Sequence, residues 1–274
     1  MPVANDTQNI AVFCDFENIA LGVQEAKYDK FDIHKVLEKL LVKGSIVVKK
    51  AYCDWERYKS FKAAMHEASF EMIEIPHVRH SGKNSADIRM VVDALDLCYT
   101  KSHVRTFVII SGDSDFSPLV SKLRENSKTV IGVGVKKSTS DLLIANCDEF
   151  IFYDDLVRDQ ARKQRGRKKT AADKPAASGN ETPSKSVEEK KQEAFDLVLE
   201  TIEALLAERG ENEPVWGSMV KQAIKRRKPQ FSESYYGFQS FNKLLEEIQS
   251  KNLLKLVPDE KSGGYLITHL PHEE

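Results

Sequence analysis

At 274 residues the chain is long enough for one large domain or two modest ones with a real core. Its net charge of −1 hides an uneven distribution: acids gather in the first 155 residues and in 188–193, while basic side chains crowd 158–169 and 221–228. No segment approaches the roughly 18 apolar residues of a membrane span, the first eight positions show no signal-peptide pattern, and Cys14, Cys53, Cys98 and Cys147 are too scattered for a disulfide scaffold. A soluble, cytoplasmic protein with buried thiols is expected. From the start, 9–15 reads as a strand, 31–43 as a helix with Ile33, Val36, Leu37, Leu40 and Leu41 on one face, 45–53 as a strand, 58–69 as a helix and 71–78 as a strand. Then follow a helix over 85–101, a strand over 106–110, a helix over 118–126, a strand over 129–135, a short helix near 141–147 and a strand over 150–153. Strands alternating with helices at this length imply an α/β domain: a three-layer parallel sheet with helices on both faces.

In such a sheet, ligands bind beyond the carboxyl ends of the strands, where strand order reverses. The first strand ends in Cys14-Asp15-Phe16-Glu17-Asn18 and the fourth in Ser111-Gly112-Asp113-Ser114-Asp115. A strand order of 3-2-1-4-5 makes these two strands neighbours, so their acids converge. Ser85 as N-cap puts Asp87 in the first turn of the next helix, able to overhang the same cleft. One acid at a strand–helix junction is equally well explained as a helix cap; two acidic strand ends together point to a counter-cation. Asp15, Asp87, Asp113 and Asp115 with the Asn18 amide form an oxygen-only donor set, which selects Mg²⁺ or Mn²⁺ over zinc and suits phosphodiester hydrolysis. Lys83 is a candidate phosphate contact. Asp93 lies roughly 120° around the helix from Asp87, so it and Ser111 are expected to support the site by hydrogen bonding.

At these residues the chain resembles the NYN-domain proteins of the LabA-like group, a branch of the PIN-like nuclease superfamily. The matching motifs are Asp15-Phe16-Glu17-Asn18, Lys83 through Asp87 with Asp93, Ser111 through Phe116, and Asn146 through Phe150. The resemblance implies a PIN-like Rossmannoid sheet and metal-dependent RNA cleavage, with Asp15, Asn18, Asp87, Asp113 and Asp115 at the metal-site positions.

Other signals carry less. Residues 132–139 end in a Lys-Ser pair like a phosphate loop, but Lys136 stands where that loop needs glycine. Gly112-Asp113-Ser114-Asp115 is similar to the acid pair of haloacid-dehalogenase-type phosphatases, yet that pattern leaves Asn18 without a role. His77 and His80 sit on a strand exit and read as surface residues.

Residues 158–186 are basic, then rich in Ala, Pro and Ser, and nearly devoid of bulky apolar groups; a flexible linker is expected there between a 1–157 domain and a 187–274 domain. Helical spacing recurs over 193–208, 215–227 and 234–249, followed by two strands near 253–257 and 265–270. Three helices and a hairpin make a winged helix. It resembles the LOTUS module, also called OST-HTH, through Trp216-Gly217-Ser218, 225–231, Tyr236-Gly237-Phe238, Phe241, Leu244-Leu245 and Gly264-Tyr265. That resemblance implies binding of single-stranded or structured RNA, or contact with a protein partner. Lys221, Lys225, Arg226, Arg227 and Lys228 are the candidate phosphate contacts and Tyr235 a candidate stacking platform, whereas Trp216, Phe231, Phe238 and Phe241 read as core. The expectation is a metal-dependent endoribonuclease with a substrate-holding second domain; the alternatives are a non-catalytic RNA-binding regulator and a phosphomonoesterase.

Overall fold

A computed structural model of the chain describes residues 8–75, 84–168, 187–209, 214–259 and 264–268. It divides into two compact units, Met1–Gln160 and Ala161–Glu274. In the first, β1 (Asn9–Asp15), α1 (Phe16–Glu25), α2 (Ile33–Leu41), β2 (Ser45–Cys53), α3 (Lys59–Glu67) and β3 (Glu71–Glu74) are followed by α4 (Ser85–Thr100), β4 (Val104–Ile110), α5 (Ser117–Glu125), β5 (Thr129–Gly134), α6 (Asp141–Asn146), β6 (Glu149–Phe152) and α7 (Tyr153–Lys168). The strands form one sheet in the order β3-β2-β1-β4-β5-β6, every pair parallel. Chain direction across the sheet reverses between β1 and β4, as expected.

The alternation along β1 builds the three layers. Ile10, Val12 and Cys14 face a core shared with Phe16, Ile19, Val36 and Met65 from α1, α2 and α3. Ala11 and Phe13 face the opposite core, filled by Met90, Ala94, Leu119, Val120 and Leu143 from α4, α5 and α6. Every residue of β1 past Asn9 is buried, the mark of a central strand covered on both sides.

Two elements depart from the sequence reading. The strand-end motif at 15–18 opens a helix that was not anticipated: Asp15 caps α1, and Phe16, Ile19, Ala20 and Val23 give it a buried face at i, i+3, i+4 and i+7. At the other end, α7 continues through 158–168, the stretch expected to begin the flexible linker. Tyr153 and Leu156 anchor its start in the first core, so the helix is nucleated by packing before the basic run begins.

The second unit contains α8 (Val187–Arg209), β7 (Val215–Trp216), α9 (Gly217–Arg227), α10 (Phe241–Ser250), β8 (Lys255–Pro258) and β9 (Tyr265–Thr268), with an antiparallel sheet in the order β7-β9-β8. This is a winged-helix arrangement around a core of Phe195, Val198, Ile224, Phe231, Phe238, Phe241 and Leu245. The helix expected over 234–249 starts only at Phe241. Gly237 at φ +91 interrupts it, and the Ser240 side chain accepts from Lys243 N–H to cap the helix that follows. Val215 and Trp216, expected to be helical, instead pair with Ile267 and Leu266. Among the described residues no helix is long and apolar enough to cross a membrane.

Candidate active site at the carboxyl ends of β1 and β4

Parallel pairing of Cys14 with Ile110 sets Asp15 and Ser111 side by side, one step beyond the last paired residues. Ser111 is fully buried and its Oγ donates to Asp15 Oδ2 at 3.0 Å. The same oxygen accepts from Asp113 N–H at 3.2 Å. Asp15 Oδ1 accepts from the Asn18 N–H at 3.4 Å, while Asn18 Oδ1 accepts from the Gly112 N–H at 2.8 Å. Asp113 Oδ1 in turn caps the turn at Ser114–Phe116 by accepting from Asp115 N–H at 3.0 Å. Three of these hydrogen bonds lock the two strand ends to each other and to the first turn of α1.

Gly112 is needed at this joint because a third segment crosses it. The carbonyl oxygen of Ser138, in the turn after β5, lies 2.3 Å from where a Cβ on residue 112 would stand. Ser140 N–H donates to Gly112 O at 2.9 Å from the same side.

The pocket is electrostatically unbalanced. Burial, then the neighbouring charges of Asp87 and Asp113, push the Asp15 carboxyl up to about 7, against the pull of the Ser111 and Asn18 hydrogen bonds. Asp87, in the first turn of α4, is also raised, first by burial and then by Asp113, Asp115 and Glu17, all of them negative. The four acids singled out in the sequence are thus within electrostatic reach of one another. Their oxygens do not yet surround a common point: among the described residues no three His, Cys, Asp or Glu side chains are gathered closely enough to hold an ion. The donor chemistry fits a hard divalent cation, and carboxylates that repel one another stand apart. Asp87 and Asp113 are half-buried and Asp115 is exposed, so their side chains have room to turn.

Other expected residues have different surroundings. Asn18 was expected to bind metal; its side-chain oxygen accepts from the Gly112 N–H, which also makes it a brace between α1 and β4. Asp93 accepts from Tyr52 Oη at 2.9 Å, Arg89 Nε at 3.1 Å and Lys50 Nζ at 3.4 Å. The Tyr52 and Lys50 bonds fasten α4 to β2 and so fix the helix that carries Asp87. Lys83, His77 and His80 lie outside the described residues.

Two residues of the site went unread in the sequence. Glu17, inside the Asp-Phe-Glu-Asn motif, acts on Asp87 and binds Arg57, whose Nη1 lies 3.1 Å from its Oε1. Arg57 follows β2, and the register that sets Asp15 beside Tyr52 explains why the two loops meet. Adjacent parallel strands deliver successive loops to one edge, a signal available once the strand order is known.

In the second unit, Arg226 is exposed at the end of α9 beside half-buried Lys225 and Lys228. Lys221 is paired with Glu233 at 2.7 Å, and Arg227 with Glu200. Tyr235, expected to offer a free face, is half-buried, edge-on to Tyr236 at 5.0 Å and with Lys190 Nζ 5.5 Å from its ring centroid. Phe231, Phe238 and Phe241 are core, as expected. A hollow of about 400 Å³ opens among Trp216, Ser218, Lys221, Asn242 and Tyr265, at the start of α9 and α10.

A solved structure of a Vibrio parahaemolyticus protein of unknown function, VPA0982, is similar to this chain with a TM-score of 0.50 and 26% identity, covering 56% of this chain and 98% of its own. The uncharacterized protein MJ0482 of Methanocaldococcus jannaschii is 28% identical over 112 residues, 41% of this chain and 43% of that protein, so the likeness spans less than half of the relative's length. Residues 9–154, from β1 into the first turn of α7, match the NYN domain, and the chain therefore belongs to the NYN-domain family, a branch of the PIN-like nuclease superfamily.

Proposed function

We propose that the protein is an endoribonuclease whose Asp15, Asp87, Asp113 and Asp115 hold Mg²⁺ or Mn²⁺ to hydrolyse RNA phosphodiester bonds. The observation that carries this reading is the mutual repulsion of these acids at one strand-end pocket, where Asp113, Asp115 and Glu17 act on Asp87 among the described residues. Oxygen donors of this kind select a hard divalent cation. Such a cation supplies positive charge against a phosphate oxygen and acidifies water for attack on phosphorus.

The chain's own residues do the rest. Asp15, poised near neutrality, gives up its proton as positive charge arrives, and Ser111 keeps its Oδ2 aimed while doing so. Asn18 and Gly112 hold the two strand ends together, so that Asp87, Asp113 and Asp115 are the groups that turn to complete the donor set. Arg57, on the rim beside Glu17, offers a forked cation to a phosphate next to the scissile one. The second unit we assign as a LOTUS-type winged helix that holds RNA through Lys225, Arg226 and Lys228, joined to the nuclease domain through the basic end of α7 and residues 169–186. Four buried thiols suit a reducing compartment such as the cytoplasm.

A non-catalytic RNA-binding regulator is the second reading, favoured by the donor set standing open among the described residues. Incubation of the purified protein with labelled single-stranded RNA, with Mn²⁺ or with excess EDTA, separates the two. Cleavage in Mn²⁺ that is lost in EDTA and in Asp113→Asn, with folding intact, is the expected result. RNA binding without cleavage under every divalent cation tried would favour the regulator, and full activity of Asp113→Asn in EDTA would eliminate the mechanism.

A further inference from the structure

The outer face of α4 carries an apolar stripe that the domain covers only in part. Ile88, Val92 and Tyr99 are 62%, 54% and 64% exposed, unusually open for such side chains. With Leu95, which is only partly buried, they recur at i, i+4, i+7 and i+11, within about 60° of one another around the helix and over about 16 Å of its length. That 4-3-4 spacing is a coiled-coil seam rather than a scatter of surface residues.

The charges beside the stripe choose the partner. Arg89 and Asp96 flank the same side of the seam, one near each end. Asp96 forms no ion pair with the other described residues, and Arg89 binds Asp93 through Nε alone, leaving the fork of its guanidinium to reach outward. When two α4 helices run antiparallel about a two-fold axis, Ile88 meets Tyr99 of the second copy, Val92 meets Leu95, and Arg89 falls opposite Asp96 at both ends. A parallel pair would set Asp96 beside Val91 and form neither ion pair. The pattern is self-complementary, as an isologous interface requires.

We propose that α4 is a homodimer interface, in which a second copy of this chain packs antiparallel on the Ile88–Val92–Leu95–Tyr99 seam with reciprocal Arg89–Asp96 pairs. Because α4 bears Asp87 at its first turn, the dimer would also stiffen the helix that delivers a site acid to each pocket. The proposal stands independently of whether the pocket cleaves RNA. One helix pair is a small interface, so the dimer is expected to be weak and concentration-dependent.

Sedimentation equilibrium of the full chain from about 1 to about 200 µM tests this. A monomer–dimer equilibrium is expected within that range. Val92→Glu, which places a good helix former at an exposed position, and Asp96→Arg, which sets like charges opposite each other, should each weaken association at least about tenfold, with circular dichroism unchanged. The double variant Arg89→Glu/Asp96→Arg should regain dimerisation. A monomer at every concentration, a dimer that Val92→Glu leaves untouched, or failure of the charge-reversed double variant to recover would each overturn the proposal.

Discussion

Ser111 Oγ lies 3.0 Å from Asp15 Oδ2 and 3.2 Å from Asp113 N, so a single buried hydroxyl joins the two acidic strand ends. Its hydrogen bond favours the charged form of Asp15, opposing burial and the neighbouring acids. Ser111→Ala removes that bond and should move the acid limb of the Mn²⁺-dependent rate profile upward by about one pH unit, since a hydrogen bond to a charged group is worth about 1.5–3 kcal/mol. The plateau at high pH should fall less. A pH–rate profile measures both, and a purely packing role for Ser111 would lower the rate at all pH values without moving the limb.

The raised Asp15 carboxyl also makes stability depend on pH. Folding lifts its pKa from 3.8 to about 7, so the folded chain holds the proton more tightly than the unfolded one. The resulting stabilisation is complete below about pH 4 and is lost as pH rises through about 7. Asp15→Asn removes the titrating group and should raise the melting temperature at pH 8, with the advantage shrinking towards pH 5. Mn²⁺ should raise the melting temperature of the unmodified protein at pH 8 by binding the folded state, at roughly 2–4 °C per kcal/mol. The same addition should do much less for Asp15→Asn. Differential scanning fluorimetry across pH, with and without Mn²⁺, reads both effects.

The order of the sheet and the meeting of Asp15 with Asp113 were legible because strand ends are marked by a change in residue type. Apolar runs stop at Cys14 and Ile110, and carboxylates follow within three residues, at Asp15 and Asp113. Helix α1 was missed since its opening residues double as the motif: Asp15 serves as strand terminus, helix cap and site acid together. The bracing role of Asn18 went unread for a related reason: an amide oxygen beside acids looks like a ligand in sequence, and its bond to the Gly112 N–H depends on how the strands are placed. Arg57 and Glu17 were invisible, because an ion pair between residues 40 positions apart depends on strand order and leaves no local pattern. In the second unit, periodicity ran through 234–240 although Gly237 breaks the backbone there, so apolar spacing alone placed the helix start too early.

Gly112 should tolerate no side chain. A Cβ there would stand 2.3 Å from the Ser138 carbonyl oxygen, a backbone atom in the turn that Ser140 N–H ties to Gly112 O and that leads into the capped start of α6. Gly112→Ala should cost about 1–3 kcal/mol by overpacking and should displace Gly112 N from Asn18 Oδ1. Denaturant melts give the stability loss, and the Mn²⁺ concentration needed for half-maximal cleavage should rise as the strand ends part. An unperturbed melt with unchanged metal requirement would show that the β5–α6 turn yields more readily than its hydrogen bonds suggest.

The cations of α9 differ in their exposure and ion pairs, and the salt dependence of RNA binding should show it. Arg226 is exposed and Lys228 is half-buried at the helix end, whereas Lys221 and Arg227 are paired with Glu233 and Glu200. Each phosphate neutralised on a single strand contributes about 0.7 to the slope of log K against log salt. Arg226→Ala with Lys228→Ala should therefore flatten that slope by about 1.4 and weaken binding at low salt. Lys221→Ala should act differently. It leaves the largely buried Glu233 carboxylate without its partner, so the melting temperature of this unit should fall while the slope changes by less. Fluorescence anisotropy at several salt concentrations, paired with thermal melts, distinguishes the two groups; equal slopes for all three proteins would place the RNA contact elsewhere on the molecule.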